Sequence, residues 1–592
     1  MMNIISPMTN FESLPNEIFV EVFEYLNGFE IFLAFDWLNI RFYHLIRTIP
    51  ICLNFQHVQK NIFDRFCTVI QSNPSIKRHI HSLTLSNKVT CGQIDLFFSR
   101  FDLNQFPHLR SLTVVQVEQQ NIDKIQRFLP SISSLQTFRM IEHVNEPNEI
   151  ISDLPLTNLR RLAVPSIKSI KTKSSITHLT LFGCTLDYQF FEYIPLLRYL
   201  HIESIYRAPI LLETKNHSIS HPAVYLKHLI IDNYECLFDE FEVFVKLMPH
   251  LQRLAISALD NLCMIDAQRW QRVIQSSLPC LQHFQFIFGL YCKGEVRKHV
   301  IEKFQQFQNH LWYKNHQWNI EYVLDANAAV IYTIPYISNS YRLARSTVKY
   351  SPNDFNEFDN VTDLTLSCEA TVNNCSYFFS NIRSLTLESL IVNSDEHILD
   401  FTYMKSLQTT VSLYHLTHLD MSFYSSVEPR VLLEIFTKAP HLSSLTVDLY
   451  ALWTFFDDEC LCHYFQTMIR QLNISKITHH SFRTCHDVEQ FCRIFPRLQR
   501  LTCTIDHSDQ LSLLFNRLKY LFSLKIVVIP LEILNWFKHE AMKFNVMYRI
   551  THIEAVTDGL MEMFSTDLYV WTGRIDEDTN ERIAHHSSMS HI

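Results

Sequence analysis

Cys460, Cys462 and His463 stand close together, with Cys485, His486 and Cys492 a short way downstream, and these are residue types that can hold zinc. A structural zinc needs four convergent ligands, typically in paired C-x-x-C or H-x-x-x-H spacing, and C-x-C-H does not supply it. Free cysteine more often fills a core as a small hydrophobe, so no metal site is expected here. The 15 cysteines and 30 histidines allow many Cys/His pairs, and none stands out as a nucleophile with its base. The acidic run Asp457-Asp458-Glu459 reads as a solvated loop, and His480 as a satisfied or partly exposed histidine. Trp312 and Trp318 could line a pocket, but they read as core packing.

Glycine usage excludes more. Only 7 glycines occur in 592 residues, where average usage of about 7% would give roughly 40. Phosphate-cradling loops need several glycines close together, because the backbone must approach the anion and take positive φ. No pair here has the spacing of a dinucleotide fingerprint or a P-loop, and neither G-x-S-x-G nor H-E-x-x-H occurs. The expectation is therefore a protein without enzymatic activity, catalytic residues or cofactor.

The chain is too long for one compact core, and at 47% hydrophobic residues it must fold. A net charge of -9 and the absence of Lys/Arg clusters argue against a nucleic-acid partner. The cysteines are scattered and not spaced as a disulfide framework. Residues 1–40 hold no Lys or Arg, unlike a signal peptide, and the longest apolar stretches, such as Ile526–Pro530, are too short to span a membrane. These features predict a cytoplasmic or nuclear protein with reduced thiols and no membrane partner, in which the sequons at Asn216, Asn360, Asn374 and Asn473 are fortuitous.

The elements that must position any site come from one recurring hexamer: apolar, two variable, apolar, one variable, apolar. It reads LRSLTV from Leu109, LRRLAV from Leu159, ITHLTL from Ile176, LRYLHI from Leu197, LKHLII from Leu226, LQRLAI from Leu251 and LQHFQF from Leu281. It resumes as VTDLTL from Val361, IRSLTL from Ile382, LTHLDM from Leu416, LSSLTV from Leu442, LQRLTC from Leu498 and LFSLKI from Leu521. Weaker copies begin at Ile80, Leu135 and Ile477. Prolines 107, 195, 249, 279, 440 and 496 each precede a copy by two residues, where they stop the preceding helix. Helical patterns end there, over Glu240–Met248, Val431–Ala439 and Asp487–Phe495. The unit reads strand, turn, helix, proline, and one such unit cannot bury its apolar face alone.

Strand alternation sends the variable residue between the last two apolar ones to the opposite side. That ladder is Thr84, Thr113, Arg139, Ala163, Thr180, His201, Ile230 and Ala255, then Thr365, Thr386, Asp420, Thr446, Thr502 and Lys525. It is Thr-rich and weakly charged, a surface suited to a protein or peptide. The candidate substrate-binding residues are Thr113, Arg139, Thr180, His201, Thr365, Thr386, Asp420, Thr446 and Thr502. The stretch 76–530 resembles the leucine-rich-repeat family, although the Asn that family places after the last Leu is not constant here. The resemblance implies an irregular solenoid, a right-handed α/β horseshoe or arc.

Residues 11–50 carry a second pattern. Pro15 suits a first helical turn, and Ile18, Val22, Tyr25 and Leu26 recur at helical spacing with Phe19 and Phe23 beside them. Glu17, Glu21 and Glu24 share another face, and Asn27-Gly28 is expected to end the helix. Short helical patterns come next, at Ile31–Phe35 and Leu38–Ile46. Three such helices cannot bury a core of their own, so their apolar residues want a partner. The segment resembles an F-box: Leu14-Pro15, Glu17-Ile18, Phe23 and Leu26 near a turn, then Arg41, Phe42, Tyr43, Leu45 and Ile46. It departs in Phe29–Phe32, where the family has Asp-Leu, and in lacking the Trp of the third helix. The resemblance implies docking onto a Skp-type adaptor, and through it a cullin scaffold, with Leu14, Pro15, Ile18, Phe23 and Leu26 as adaptor contacts.

The expected organisation is an α/β chain: a disordered leader over 1–10, the F-box-like motif over 11–50 and a linker helix over 51–75. A first arc of repeats covers 76–288, an atypical repeat or insertion 289–357 and a second arc 358–530. A C-terminal cap covers 531–573 and a disordered tail 574–592. The function implied is substrate recognition in a Skp/cullin/F-box ubiquitin ligase, with an unidentified protein substrate. The alternative is a repeat scaffold whose F-box-like segment only caps the first repeat.

Overall fold

A computed structural model describes residues 11–36, 38–143, 158–165, 173–185, 190–207, 222–307, 318–325, 327–344, 348–350, 358–367, 377–388, 398–399, 401–424, 426–476, 480–527, 531–540, 546–554 and 564–572. The expected leader and tail, and Trp312, lie outside them. The fold is mixed α/β with parallel sheets, and neither large sheet closes into a barrel among the described residues. The chain divides into two compact units, Met1–Phe182 and Gly183–Ile592. No helix among the described residues is long and apolar enough to cross a membrane.

The first unit opens with three short helices, α1 (Asn16–Glu24), α2 (Gly28–Phe35) and α3 (Ile40–Ile46). Asn27 and Gly28 start α2 as well as ending the turn after α1. The Asn27 N–H donates to Glu30 Oε2 at 2.9 Å, while the Asn27 carboxamide accepts from Asn54 N at 3.0 Å and donates to Asn54 O. Asn54 ends strand β1 (Ile51–Asn54), so the stretch expected to be a linker helix holds a strand as well as the helix α4 (Lys60–Ser72). Gly28 lies so close to β1 that a Cβ there would meet Ile51 Cγ2 at 2.5 Å and Cys52 O at 2.9 Å. Only glycine permits this approach.

From β1 onward the strands of this unit run parallel in sequence order: β2 (Ile80–Ser86), then Ser111–Val117, Thr137–His143, Arg161–Val164 and His178–Leu181. The register joins equivalent hexamer positions, Leu53 to Leu83, Leu112, Phe138, Leu162 and Leu179. Each of these is at most 3% exposed. Burying such a side chain stabilises by about 1.5–3 kcal/mol.

The second unit repeats the scheme twice. Tyr199–Tyr206, His228–Tyr234, Arg253–Leu259 and His283–Tyr291 are parallel. The direction then reverses: Ala328–Ile334 runs antiparallel to His283–Tyr291, and Asn319–Leu324 pairs antiparallel with Ala328–Ile334 and with Val348–Tyr350. A second parallel series runs through Ser340–Leu343, Asp363–Ser367, Ser384–Glu388, His418–Asp420, Ser444–Thr446, Gln471–Asn473, Arg500–Cys503 and Ser523–Ile526. Antiparallel strands Phe564–Thr572 and Val546–Glu554 close it. Two of these strands escaped the hexamer reading. Gln471–Asn473 belongs to an intact copy, Ile469–Ile474, and the weak copy at Ile477 adds only the bridge Ser481 to Thr504 among the described residues. Ser340–Leu343 has Ser338 where the first apolar residue should be.

Helices pack behind the strands, close to their expected positions: Phe238–Val245, Pro429–Lys438 and Cys485–Ile494. Side chains just ahead of each hexamer tie successive copies together. Asn158 Nδ2 donates to Ser133 O at 2.8 Å, Asn360 Nδ2 to Tyr336 O at 3.0 Å and Asn381 Nδ2 to Asp359 O at 3.0 Å. Ser134 Oγ donates in the same way to Leu109 O at 2.8 Å.

Trp270, fully buried on the helix Ala267–Ser277, anchors the core of the first series. Its ring lies 4.8–5.2 Å from Phe284, Phe241 and Phe238, and its Nε1 donates to Met264 O at 2.8 Å. Trp270→Ala should cost about 3–5 kcal/mol, and Trp270→Phe about 1–2 kcal/mol for the lost hydrogen bond and reduced contact. Urea unfolding of the full chain, followed through its earliest transition, measures both.

Candidate functional site

The N-terminal helices present an apolar face. Ile18, Val22 and Tyr25 are 40%, 36% and 90% exposed. Their spacing of four and three residues places them along one side of α1. Glu17, Glu21 and Glu24 are exposed on the same helix. Leu38 and Ile40, at the start of α3, are 51% and 73% exposed.

Of the expected adaptor contacts, Pro15 and Ile18 are exposed, Leu14 and Leu26 are half-buried, and Phe23 lies inside. Phe23 is 3% exposed and packs edge-on against Phe35 at 5.1 Å, in a cluster with Phe19 and Phe42. Phe23 therefore shapes the face from beneath, and Val22 and Tyr25 take the outward positions. Arg41 fixes the approach to α1. Its guanidinium donates to Glu12 O and Leu14 O at 2.6 Å and to Asn16 Oδ1 at 2.8 Å, and it lies over the Phe19 ring. Arg47 pairs with the buried Asp36 and covers the Tyr43 ring at 3.6 Å.

The expected ladder exists in register within each unit. In the first unit Thr84, Thr113, Arg139, Ala163 and Thr180 stand on consecutive strands. In the second unit one row runs His201, Ile230, Ala255, Gln285. A further row there runs Arg342, Thr365, Thr386, Asp420, Thr446, Asn473, Thr502, Lys525. Arg139 is exposed, and Thr113, Thr180, His201, Thr365, Thr386 and Thr502 are half-buried.

Asp420 and Thr446 depart from the expectation, being only 2% and 4% exposed. Lys476 lies just beyond the strand that carries Asn473, and its ammonium pairs with Asp420 across Thr446, with the Phe423 ring 5.4 Å away. Asp420 Oδ1 accepts from Ser422 Oγ at 2.7 Å as well. This stretch of the ladder is closed over by its own neighbours.

The open part of the second unit's ladder is a cleft of about 920 Å³. Ile230, Ala255 and Gln285 line one side, Val330, Tyr332 and Tyr336 another, and Tyr341, Arg342 and Thr365 a third. Burial, reinforced by neighbouring phenols, pushes the hydroxyls of Tyr332 and Tyr341 well above the ordinary tyrosine range, and burial does the same at Tyr336. They are buried and tied into a network, with the Tyr332 hydroxyl donating to Glu321 Oε2 at 3.4 Å, so they give the cleft a rigid apolar wall. Arg342 is held by Glu388 at 2.8 Å, and His201 by Asp232 at 2.7 Å. Glu203, Asp232 and Asp325 line the cleft as well, so apolar walls stand beside acidic groups. The ladder had placed Ile230, Ala255 and Thr365 on this face, but the lining from residues 328–344 was missed, because residues 289–357 break the hexamer phase. The signal available was the aromatic series Tyr332, Tyr336 and Tyr341.

A nucleophilic thiol needs surroundings that lower its pKa. Burial instead pushes Cys67, Cys236 and Cys492 up to about 12, and raises Cys52, Cys292, Cys462 and Cys503. Among the described residues no group of His, Cys, Asp and Glu could hold a metal ion. The acidic run is part of a helix start: Asp458 caps Glu459–Met468, accepting from Cys460 N at 2.9 Å and Leu461 N at 3.0 Å. His480 packs on Tyr450 at 4.1 Å and faces Asp448 at 3.6 Å. Trp318 packs edge-on against Phe284 at 5.4 Å.

Compared with models of known protein families and with curated proteins, the chain matches none. Its reading rests on its own residues.

Removing the cover over Asp420 should be costly, since a buried carboxylate is left without its cation. Lys476→Ala is expected to destabilise by about 1–3 kcal/mol, less than for a fully buried pair because Lys476 is partly exposed, and adding Asp420→Asn should restore most of the loss. Urea midpoints of the two variants decide it.

Proposed function

We propose that this chain is the substrate-recognition subunit of a Skp/cullin/F-box-type ubiquitin ligase. In this reading α1–α3 form a three-helix F-box that docks a Skp-type adaptor, and through it a cullin. The hexamer strands form an irregular leucine-rich-repeat solenoid that holds a protein substrate on its strand face. The observation that carries the reading is the exposed stripe Ile18, Val22 and Tyr25 beside Pro15, apolar surface that a small motif keeps in water only if a partner covers it. The resemblance of residues 11–50 to the F-box names the partner. The parallel, in-register strands support the second half, because stacked units present one continuous face over many copies.

One observation favours the alternative, a repeat scaffold with a helical cap. The helices are fastened to β1 and α4 through Asn27 with Asn54, through Gly28 against Ile51 and Cys52, and through Phe32 against Phe66 at 5.5 Å. A cap would need the same contacts. The two readings differ in what the outer side of α1 does.

Ile18→Asp combined with Val22→Asp charges that outer side without touching Phe19 or Phe23. Co-expression of the full chain with a Skp-type adaptor should give a co-eluting complex on size exclusion, lost in the double variant while circular dichroism stays unchanged. An intact chain that never co-elutes with the adaptor would hand the function to the scaffold reading.

A further inference from the structure

We infer that the second unit binds a short acidic peptide along the edge where its first parallel strands begin. The residues there are the two variable positions at the start of each hexamer. Arg198, Lys227, Arg253 and His283 are exposed, and His228 is half-buried among them. They stand on four consecutive strands. Lys227 N donates to Arg198 O, Gln252 N to Lys227 O and Gln282 N to Gln252 O, each at 2.9 Å, and Arg253 sits between His228 and His283 in register.

Among the described residues, the segments that form this edge carry no acid. The segments 195–199, 222–228, 249–253 and 279–283 contain no Asp or Glu, in a chain whose acids outnumber its Lys and Arg by 60 to 51. Arg198, Lys227 and Arg253 form no ion pair with any described residue. The acids of these strands, Glu203 and Asp232, come four residues after Tyr199 and His228. At about 3.3 Å per residue that is roughly 13 Å along the strand, and Asp232 is already paired with His201 at 2.7 Å. The cations also act on one another: His228 is held below the ordinary histidine range by burial first, and then by Arg253, Lys227 and His283.

The geometry sets the size of the occupant. Strands spaced about 4.8 Å apart place the four positions over roughly 14 Å. An extended peptide covers that distance in about four to five residues, and its carboxylates can meet a cation on successive strands. A nucleic acid would carry its phosphates well past this row onto a chain of net charge -9, so the short acidic segment is the better fit. The row flanks the strands that line the cleft, so the acidic segment lies beside whatever occupies it. The inference uses the substrate-receptor reading only in taking the occupant to be a protein segment.

The test is fluorescence anisotropy of a labelled hexapeptide of alternating Asp and Ala on the full chain, with an Asn-for-Asp hexapeptide as control. Binding is expected for the Asp peptide alone and should weaken at high salt. The triple variant Arg198→Gln, Lys227→Gln, Arg253→Gln should weaken it about tenfold or more, as loss of several exposed charge pairs implies. Arg272→Gln, an exposed change on a helix, should leave it unchanged. All three triple-variant positions are exposed, and an unchanged melting curve verifies the fold. Equal binding by triple variant and native chain, equal binding of the Asn peptide, or no binding of the Asp peptide overturns the inference. So does an oligonucleotide that displaces the peptide and depends on the same three residues. Ile18→Asp with Val22→Asp should leave peptide binding intact, so failure of the adaptor reading and failure of this one are read separately.

Discussion

Everything in this molecule depends on parallel strands that pair in hexamer register. A hexamer offers two apolar side chains on one side of a short strand, too little to bury alone. Pairing Leu83 with Leu112, or Leu364 with Leu385, sets each against its equivalent in the next copy, and the helices behind close the layer. A slip of one residue would turn every inward leucine to water and every ladder residue into the core. The register thus fixes the core and the outward face by the same act. That is why one short pattern can dictate structure over hundreds of residues.

The backbone also carries the register outside the strands. The carbonyl at the first variable position accepts an N–H from the next copy, from Arg110 through Gln136 to Arg160, and again from Thr362 through Arg383, Thr417 and Ser443 to Arg470. Side-chain amides and hydroxyls just ahead of the hexamer, Asn158, Asn360, Asn381 and Ser134, satisfy carbonyls of the preceding copy. These bonds satisfy buried carbonyls where the copies begin. Because the backbone does the joining, the variable side chains at these positions are free to carry charge, and on the second unit's first strands they carry positive charge alone.

Polarity on the strand face is settled in three different ways. Near Asp420 the face is closed by Lys476. At the cleft it is open, with neutral tyrosines and an Arg342 already committed to Glu388. At the start of the strands it is cationic and uncommitted. The N-terminal helices solve the opposite problem. Phe19, Phe23 and Phe42 make a small core, Asn27 and Gly28 fasten it to β1, and the apolar residues left over point outward.

The sequence by itself determined the parallel α/β plan, the strand positions of the clear hexamers, the prolines at the turns and the row in which the ladder residues stand. These come from alternation and spacing, which are local properties of a chain. It also held the copy at Ile469, an intact hexamer that, like those at Leu159, Leu226 and Leu416, has no proline two residues ahead. Tertiary structure alone decided the rest. Phe23 turns inward because Phe35 of α2 packs on it in a cluster that Phe19 and Phe42 complete, and Ile18 and Tyr25 are left exposed by the described residues. Asp420 is covered by a lysine 56 residues further on. The cleft exists because the strand direction reverses at Ala328–Ile334. Each of these depends on which distant residues meet, and no spacing within a hexamer encodes that.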